Sequence, residues 1–286
     1  MLNFKKIVIS IISLFFILFQ NSCKRSINFS GITIGSSGKI ESLDPARATT
    51  LKSLQLINAL GDTLYEVDEK GKLIPKLASS IPVLSKDKLR LQIKLRENIL
   101  FHDGTLFNSS AMKFTLERFL KIGTNNYIFE NKIKSIEDPK PDILIINLNQ
   151  PSSSIANLLT SINLTALSPD YYKNHFDKYM NDKFIGTGKY KLKRFSNNIQ
   201  ILSPNINYWG EKPRNKGINF VGYSNSSTLY GALISRQIDV LLSNSIEDTL
   251  RSKLKEISQN NKINEGISQS TEISFISLRT NKEPLN

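Results

Sequence analysis

The chain has 286 residues, 40% of them hydrophobic and 22% charged, a balance that excludes a disordered tail, a collagen and a multi-span membrane protein. Lys and Arg outnumber Asp and Glu by 38 to 25, giving +13; alone, that excess admits nucleic acid, anionic lipid or a plain basic surface. The single cysteine, Cys23, excludes an internal disulfide framework, and two histidines, His102 and His175, argue against a His-rich metal site.

Met1 to Cys23 opens with Lys5 and Lys6, runs apolar from Ile7 to Phe19 with breaks at Ser10 and Ser13, and ends Gln20-Asn21-Ser22-Cys23. A positive start, a short apolar stretch and a small residue before the cut form a secretory signal over residues 1–22. The apolar run is shorter than the roughly 20 residues of a stable span. Cleavage before Cys23 leaves a thiol at the new amino terminus, where lipidation would tether the chain to a bilayer. An ordinary signal with a nearby cut and an uncleaved anchor are the alternatives, and all three place the rest of the chain outside the cytoplasmic membrane. An exported protein meets no nucleic acid, so the basic excess reads as solvated surface.

Residues 23–30 read as a polar tether, and Gly31 to Lys39 as a strand leaving into a turn. Leu43-Asp44-Pro45 is a turn. From a cap at Thr49 or Thr50, the spacing of Leu51, Leu54, Ile57, Leu60 and Leu64 predicts an amphipathic helix reaching Tyr65. Leu89 to Leu95 alternates at period two and predicts a half-buried strand. Asn108, Ser109 and Ser110 offer caps for a helix carrying Met112, Leu116, Phe119 and Leu120 on one side. A strand follows over Ile143 to Leu148, fenced by Pro139, Pro141 and Pro151, then a helix through Ile155, Leu158 and Leu159. Around Gly186-Thr187-Gly188 the chain turns into a hairpin of Tyr190–Lys193 and Ile199–Leu202. Ile218 to Tyr223 is a further strand, and Leu229 to Ile234 a helix ending near Gln237. Strand pairs mixed with crossover helices indicate an α/β protein.

Enzyme signatures fail. Gly35-Ser36-Ser37-Gly38-Lys39-Ile40 has the wrong glycine spacing for a phosphate loop, and Ile40 stands where Ser or Thr would hold magnesium. No Gly-x-Ser-x-Gly elbow or His-Glu-x-x-His helix is present. His102 before Asp103-Gly104 caps or packs in a turn, with a catalytic dyad as the alternative, and His175 reads as a helix-surface residue. Trp209 packs beneath the Gly210 turn, or stacks a ligand.

Six blocks in order resemble the family 5 extracellular solute-binding proteins, the peptide- and nickel-binding subunits of bacterial ATP-driven uptake transporters. They are Ser42-Leu43-Asp44-Pro45-Ala46, Leu64-Tyr65-Glu66 with Gly71 to Ala78, and Phe101-His102-Asp103-Gly104-Thr105-Leu106-Phe107-Asn108 running into Phe114 to Arg118. Gly186 to Leu192, Asn207 to Pro213 and Ile238-Asp239-Val240 complete the set. The resemblance covers residues about 32 to 286 and only the amino-terminal part of the family.

It implies an α/β fold like the type II periplasmic binding proteins of the peptide-binding cluster, first lobe only, with mixed sheets, packed helices and the second lobe largely missing. Residues 31–50 and 175–286 would form the main subdomain and 51–174 an inserted one. The ligand, a peptide or other small solute, would lie between lobes that close by hinge motion. Thr49, Thr50 and Leu51 would pair with it, Tyr127 would stand near the cleft wall, and Glu272, Ile273 and Ser274 near a crossing strand. For Thr49 and Thr50 simple helix capping is the alternative, and for Tyr127 ordinary packing. Asp44-Pro45, Asp103-Gly104, Gly186–Gly188 and Trp209 would maintain the fold. The implied partners are a membrane permease, the bilayer through Cys23 and either a separately encoded second half or, for a truncated remnant inactive alone, none; no nucleic acid, cofactor or catalysis is implied. The alternative is a noncatalytic envelope protein that binds another polypeptide through the exposed cleft face.

Overall fold

The computed structural model describes residues 31–266 apart from 39, 130, 243–245 and 260–262. The predicted first strand is β1 (Ile32–Ser37), so Gly35, Ser36 and Ser37 are extended strand and not a phosphate-binding turn. After the Asp44-Pro45 turn comes α1 (Leu51–Leu60), whose N-cap Thr50 accepts a hydrogen bond from the Ser53 amide.

Helix α1 stops short of the expected Tyr65. Gly61 ends it, donating its N–H to the Ile57 carbonyl, and a Cβ at Gly61 would come within 2.2 Å of the Thr165 methyl. Leu64 kept the helical spacing in sequence but enters a different core, and Tyr65 begins β2 (Tyr65–Val67), which pairs with β3 (Leu73–Pro75).

A four-stranded antiparallel sheet follows, in the order β4-β5-β7-β6, built from β4 (Val83–Leu84), β5 (Arg90–Lys94), β6 (Ile133–Lys140) and β7 (Ile143–Leu148). The alternation read in β5 is real: Leu91 and Ile93 are buried while Arg90, Gln92 and Lys94 are exposed. The prolines expected to fence β7 do not exclude a strand before it. β6 contains Pro139, at a register irregularity between Glu137 and Lys140 where the ladder has no need of its missing N–H. Helix α2 (Ser109–Ile122), capped by the Asn108 side chain on the Ala111 amide, lays Met112, Leu116 and Phe119 on this sheet.

The predicted helix after Pro151 is one turn only, α3 (Ile155–Leu158), followed by a 3-10 turn at Ile162–Leu164. Another short turn, α4 (Pro169–Tyr172), runs into a 3-10 turn, Lys173–His175, which carries the half-buried His175.

The second sheet has five strands in the order β11-β1-β10-β9-β8, from β8 (Tyr190–Phe195), β9 (Ile199–Pro204), β10 (Ile218–Tyr223) and β11 (Val240–Leu241) around β1. β1 is parallel to both neighbours, while β8, β9 and β10 are joined antiparallel. Helix α5 (Ser226–Ile234) crosses from β10 to β11 and covers β1, and α6 (Asp248–Gln259) leans on it through Leu250 and Leu254.

Packing assigns α1 to the five-stranded sheet: Leu56, Ile57 and Leu60 share a core with Leu202, Phe220, Leu167 and Tyr172. These buried contacts place residues from within 51–174 on the main sheet, so the subdomain limits do not coincide with that numerical range. The Gly186–Gly188 segment fastens the helix end. Gly188 donates its N–H to the Leu60 carbonyl, and a Cβ there would lie 2.3 Å from the Leu60 carbonyl carbon, so no other residue fits.

Candidate functional site

The loop between β1 and α1 leaves the carboxyl end of a strand with a parallel neighbour on each side, the position at which open α/β sheets form ligand crevices. Its shape depends on a buried ion pair that the sequence does not advertise. Asp44 is 0% and Arg118 1% exposed, and the two meet in a bidentate pair at 2.9 and 2.6 Å although 74 positions separate them. Asp44 also accepts from the Ala46 amide at 3.0 Å and the Met180 amide at 2.8 Å, and Arg118 donates to the Lys178 carbonyl at 2.7 Å. The guanidinium lies over the Tyr172 ring, whose hydroxyl burial drives above its usual range. One ion pair thus ties the loop, α2 and the segment after α4 together.

A second clamp is Asn163, whose amide donates to the Pro45 and Ala48 carbonyls at 2.6 and 2.8 Å. Ser42 donates to Asn181 at 2.7 Å, and the Thr124 amide donates to the Ala46 carbonyl. Backbone polar groups of a loop this deep need such partners.

The result is a cleft of about 480 Å³ lined by Glu41, Ser42, Arg47, Ala48, Thr49, Thr50, Ser53, Thr124 and Tyr179. That volume lies in the range of small-ligand sites. The predicted Thr49 and Thr50 are both in its wall. Thr50 also caps α1, so its hydroxyl is shared with Ser53, whereas Thr49 is exposed. Leu51 follows at the first position of α1, 41% exposed, outside the cleft lining. Tyr127, 63% exposed, sits on a 3-10 turn at Asn126–Ile128, just after the lining residue Thr124, and does not line the cleft itself. Glu272, Ile273, Ser274 and Cys23 lie outside the described residues.

Arg47, Thr124 and Tyr179 were missed from sequence. Each is an isolated polar or aromatic residue in an irregular segment, and only the fold brings them together.

The other residues assigned to fold maintenance form two polar junctions. His102 donates through Nε2 to the Gly188 carbonyl at 3.1 Å, and burial pushes its pKa down to about 4, leaving a neutral imidazole whose Nδ1 has no partner among the described residues. Asp103 accepts from Ser168 at 2.6 Å and from Thr105; burial opposes its charge, but these hydrogen bonds hold its pKa below the usual value. Asp62, 3% exposed, accepts from Thr187, Tyr208 and Trp209 and pairs with Lys76 at 3.3 Å. Trp209 is therefore anchored by its own indole N–H, with Arg96 over the ring at 5.2 Å.

Among curated proteins, the chain is 27% identical over 272 residues to the probable D,D-dipeptide-binding periplasmic protein DdpA of Escherichia coli K12, covering 89% of this chain and 50% of that protein. It is 30% identical over 181 residues to the glutathione-binding protein GsiB of an Escherichia coli O6 strain, covering 62% and 35%. The chain thus spans half or less of the length of these relatives.

Among solved structures, NikZ from Campylobacter jejuni in complex with Ni(L-His) superposes with a TM-score of 0.71 at 26% identity, covering 80% of this chain and 46% of that one. DppA from Helicobacter pylori in complex with the peptide STSA gives 0.69 at 24% identity, covering 82% and 49%. The fold is that of the type II periplasmic binding proteins. The family model described as bacterial extracellular solute-binding proteins, family 5 Middle, matches residues 72–286, and on this ground the chain belongs to the bacterial extracellular solute-binding proteins of family 5.

Proposed function

We propose that this chain acts outside the cytoplasmic membrane in solute capture for an ATP-driven importer, with peptides as the solute class and no catalytic step. The observation that carries this reading is the cleft at the carboxyl end of β1, in which Thr49 and Thr50 stand beside Arg47, Thr124 and Tyr179 on a loop locked by Asp44 and Arg118. A rigid wall with exposed hydroxyl and backbone groups suits an extended ligand held largely by main-chain hydrogen bonds, with water filling the side-chain space. Peptide-binding relatives by name support the solute class.

In this reading Thr49, Thr50 and Leu51 border the ligand path, Tyr127 flanks it, and Glu272, Ile273 and Ser274 join it from the carboxyl-terminal part of the chain. A further segment, supplied in the same or another polypeptide, forms the facing lobe, and the closed pair docks on a membrane permease. Cys23 carries lipid that keeps the protein at the bilayer. One wall holding about half the contacts of a micromolar ligand, near −8 kcal/mol in all, would alone bind at about millimolar strength or weaker.

Isothermal titration with di- to pentapeptides tests the proposal, first on the chain alone and then with the remaining segment of a full-length relative supplied in trans. Weak heats that strengthen when the segment is added are expected. Absence of heat in both arrangements contradicts the reading.

A further inference from the structure

The cleft contains one cation prepared for a ligand. Tyr179 is fixed at its far end, its hydroxyl donating to the Ile122 carbonyl at 2.6 Å, and the Arg47 guanidinium lies over its ring at 5.1 Å. Arg47 is held from the other side by the loop, its amide donating to the Asp44 carbonyl, one residue from the Ala48 carbonyl that Asn163 clamps. Among the described residues the guanidinium makes no hydrogen bond or ion pair, so its donors are unspent. The buried Arg118, by contrast, has both terminal nitrogens committed to Asp44 and the Lys178 carbonyl.

A guanidinium held over an anchored ring gives up part of its rotamer freedom before any ligand arrives, and its fork matches a planar two-oxygen anion. Glu41 lines the same cleft without pairing to Arg47. Its negative charge penalises a dianion such as phosphate more than a monoanion. The hydroxyls of Thr49 and Thr124 add neutral hydrogen-bonding groups to the same wall.

Resting on the solute-binding reading above, the geometry points to a specificity for solutes bearing a carboxylate, which Arg47, braced by Tyr179, receives through its guanidinium fork. Arg47 is thus the residue that selects for a free carboxylate end.

The test is ligand-observed saturation-transfer NMR on the full chain in lipid nanodiscs at pH 7, with trialanine and trialanine amide as probes. Trialanine should bind at least about tenfold more tightly than its amide, the scale of a charge-assisted bidentate contact. R47Q should bring that ratio close to one, R47K should fall between, and R214Q, which removes a charge that is 90% exposed and outside the cleft lining, should keep the ratio of the parent chain. Equal binding of acid and amide by the parent chain, or an unchanged ratio in R47Q, overturns the inference while leaving solute binding intact. Displacement of trialanine by inorganic phosphate overturns the carboxylate preference. Binding of neither peptide removes the underlying reading and this inference with it.

Discussion

Replacing Arg118 by Met strands the Asp44 carboxylate, which is 0% exposed, without its bidentate partner. Two backbone amides, from Ala46 and Met180, remain to solvate it, too few for a charge in that environment. Breaking a buried pair from one side costs about 3–5 kcal/mol. In a domain of this size each kcal/mol lowers the melting temperature by about 2–4 °C, so R118M should melt about 6–20 °C below the parent chain. Because the pair also shapes the cleft, peptide binding should be lost with it. D44L in the R118M background removes the stranded charge and should recover much of the loss, since a buried ion pair replaced by apolar side chains is often near neutral. Thermal unfolding by circular dichroism, read for both single variants, the double variant and R118K, completes the cycle. A shift of less than about 2 °C in R118M, or additive losses in the double variant, would show that Asp44 and Arg118 do not depend on each other in the folded chain.

The pH profile offers a second check. His102 is lowered from 6.5 to about 4 by burial, so between those values the unfolded chain binds a proton that the native chain does not. Stability from this group is complete above pH 6.5 and falls as pH drops toward 4, by about 3 kcal/mol in total. H102Q should flatten urea-unfolding stability across that window, and an unchanged slope would count against the assignment. Two glycine substitutions should move in opposite directions. G188A drives a methyl into the Leu60–Gly61 backbone and should cost about 1–3 kcal/mol, whereas G231A, exposed in α5 with open space around it, should gain about 0.5–1 kcal/mol. Equal denaturation midpoints for the two would contradict the packing described. Finally, D62A removes the acceptor of the chain's single tryptophan, so Trp209 emission should shift to longer wavelength; an unchanged spectrum would mean that the Asp62 contact does not hold the ring.

Local pattern explains which parts of this fold could be read in advance. β5 alternates because only one face is covered, and α2 announces its start through Asn108 and its stripe through Met112, Leu116 and Phe119. The end of α1 was hidden because Leu64 continues the helical spacing while Gly61, the residue that stops the helix, is set by contact with Thr165 far along the chain. β6 was hidden by Pro139, which the sheet tolerates at an irregular step in its ladder. The family resemblance pointed to Thr49 and Thr50, and both line the cleft wall. Arg47, Tyr179 and the Asp44–Arg118 pair were not legible, since each depends on segments that periodicity cannot join. The turns assigned to fold maintenance had a physical content that the sequence did not disclose: Gly188 abuts the end of α1, and Trp209 hydrogen-bonds Asp62.

Hydrogen–deuterium exchange of the full chain, with and without saturating trialanine, tests most directly whether the loop between β1 and α1 is a wall of the solute site. Exchange should slow across Ser42 to Ser53 and at Thr124, the backbone around the cleft, with little change on the outer face of the four-stranded sheet. Protection confined to that outer face, or none at a peptide concentration that saturates binding, would contradict that role of the loop.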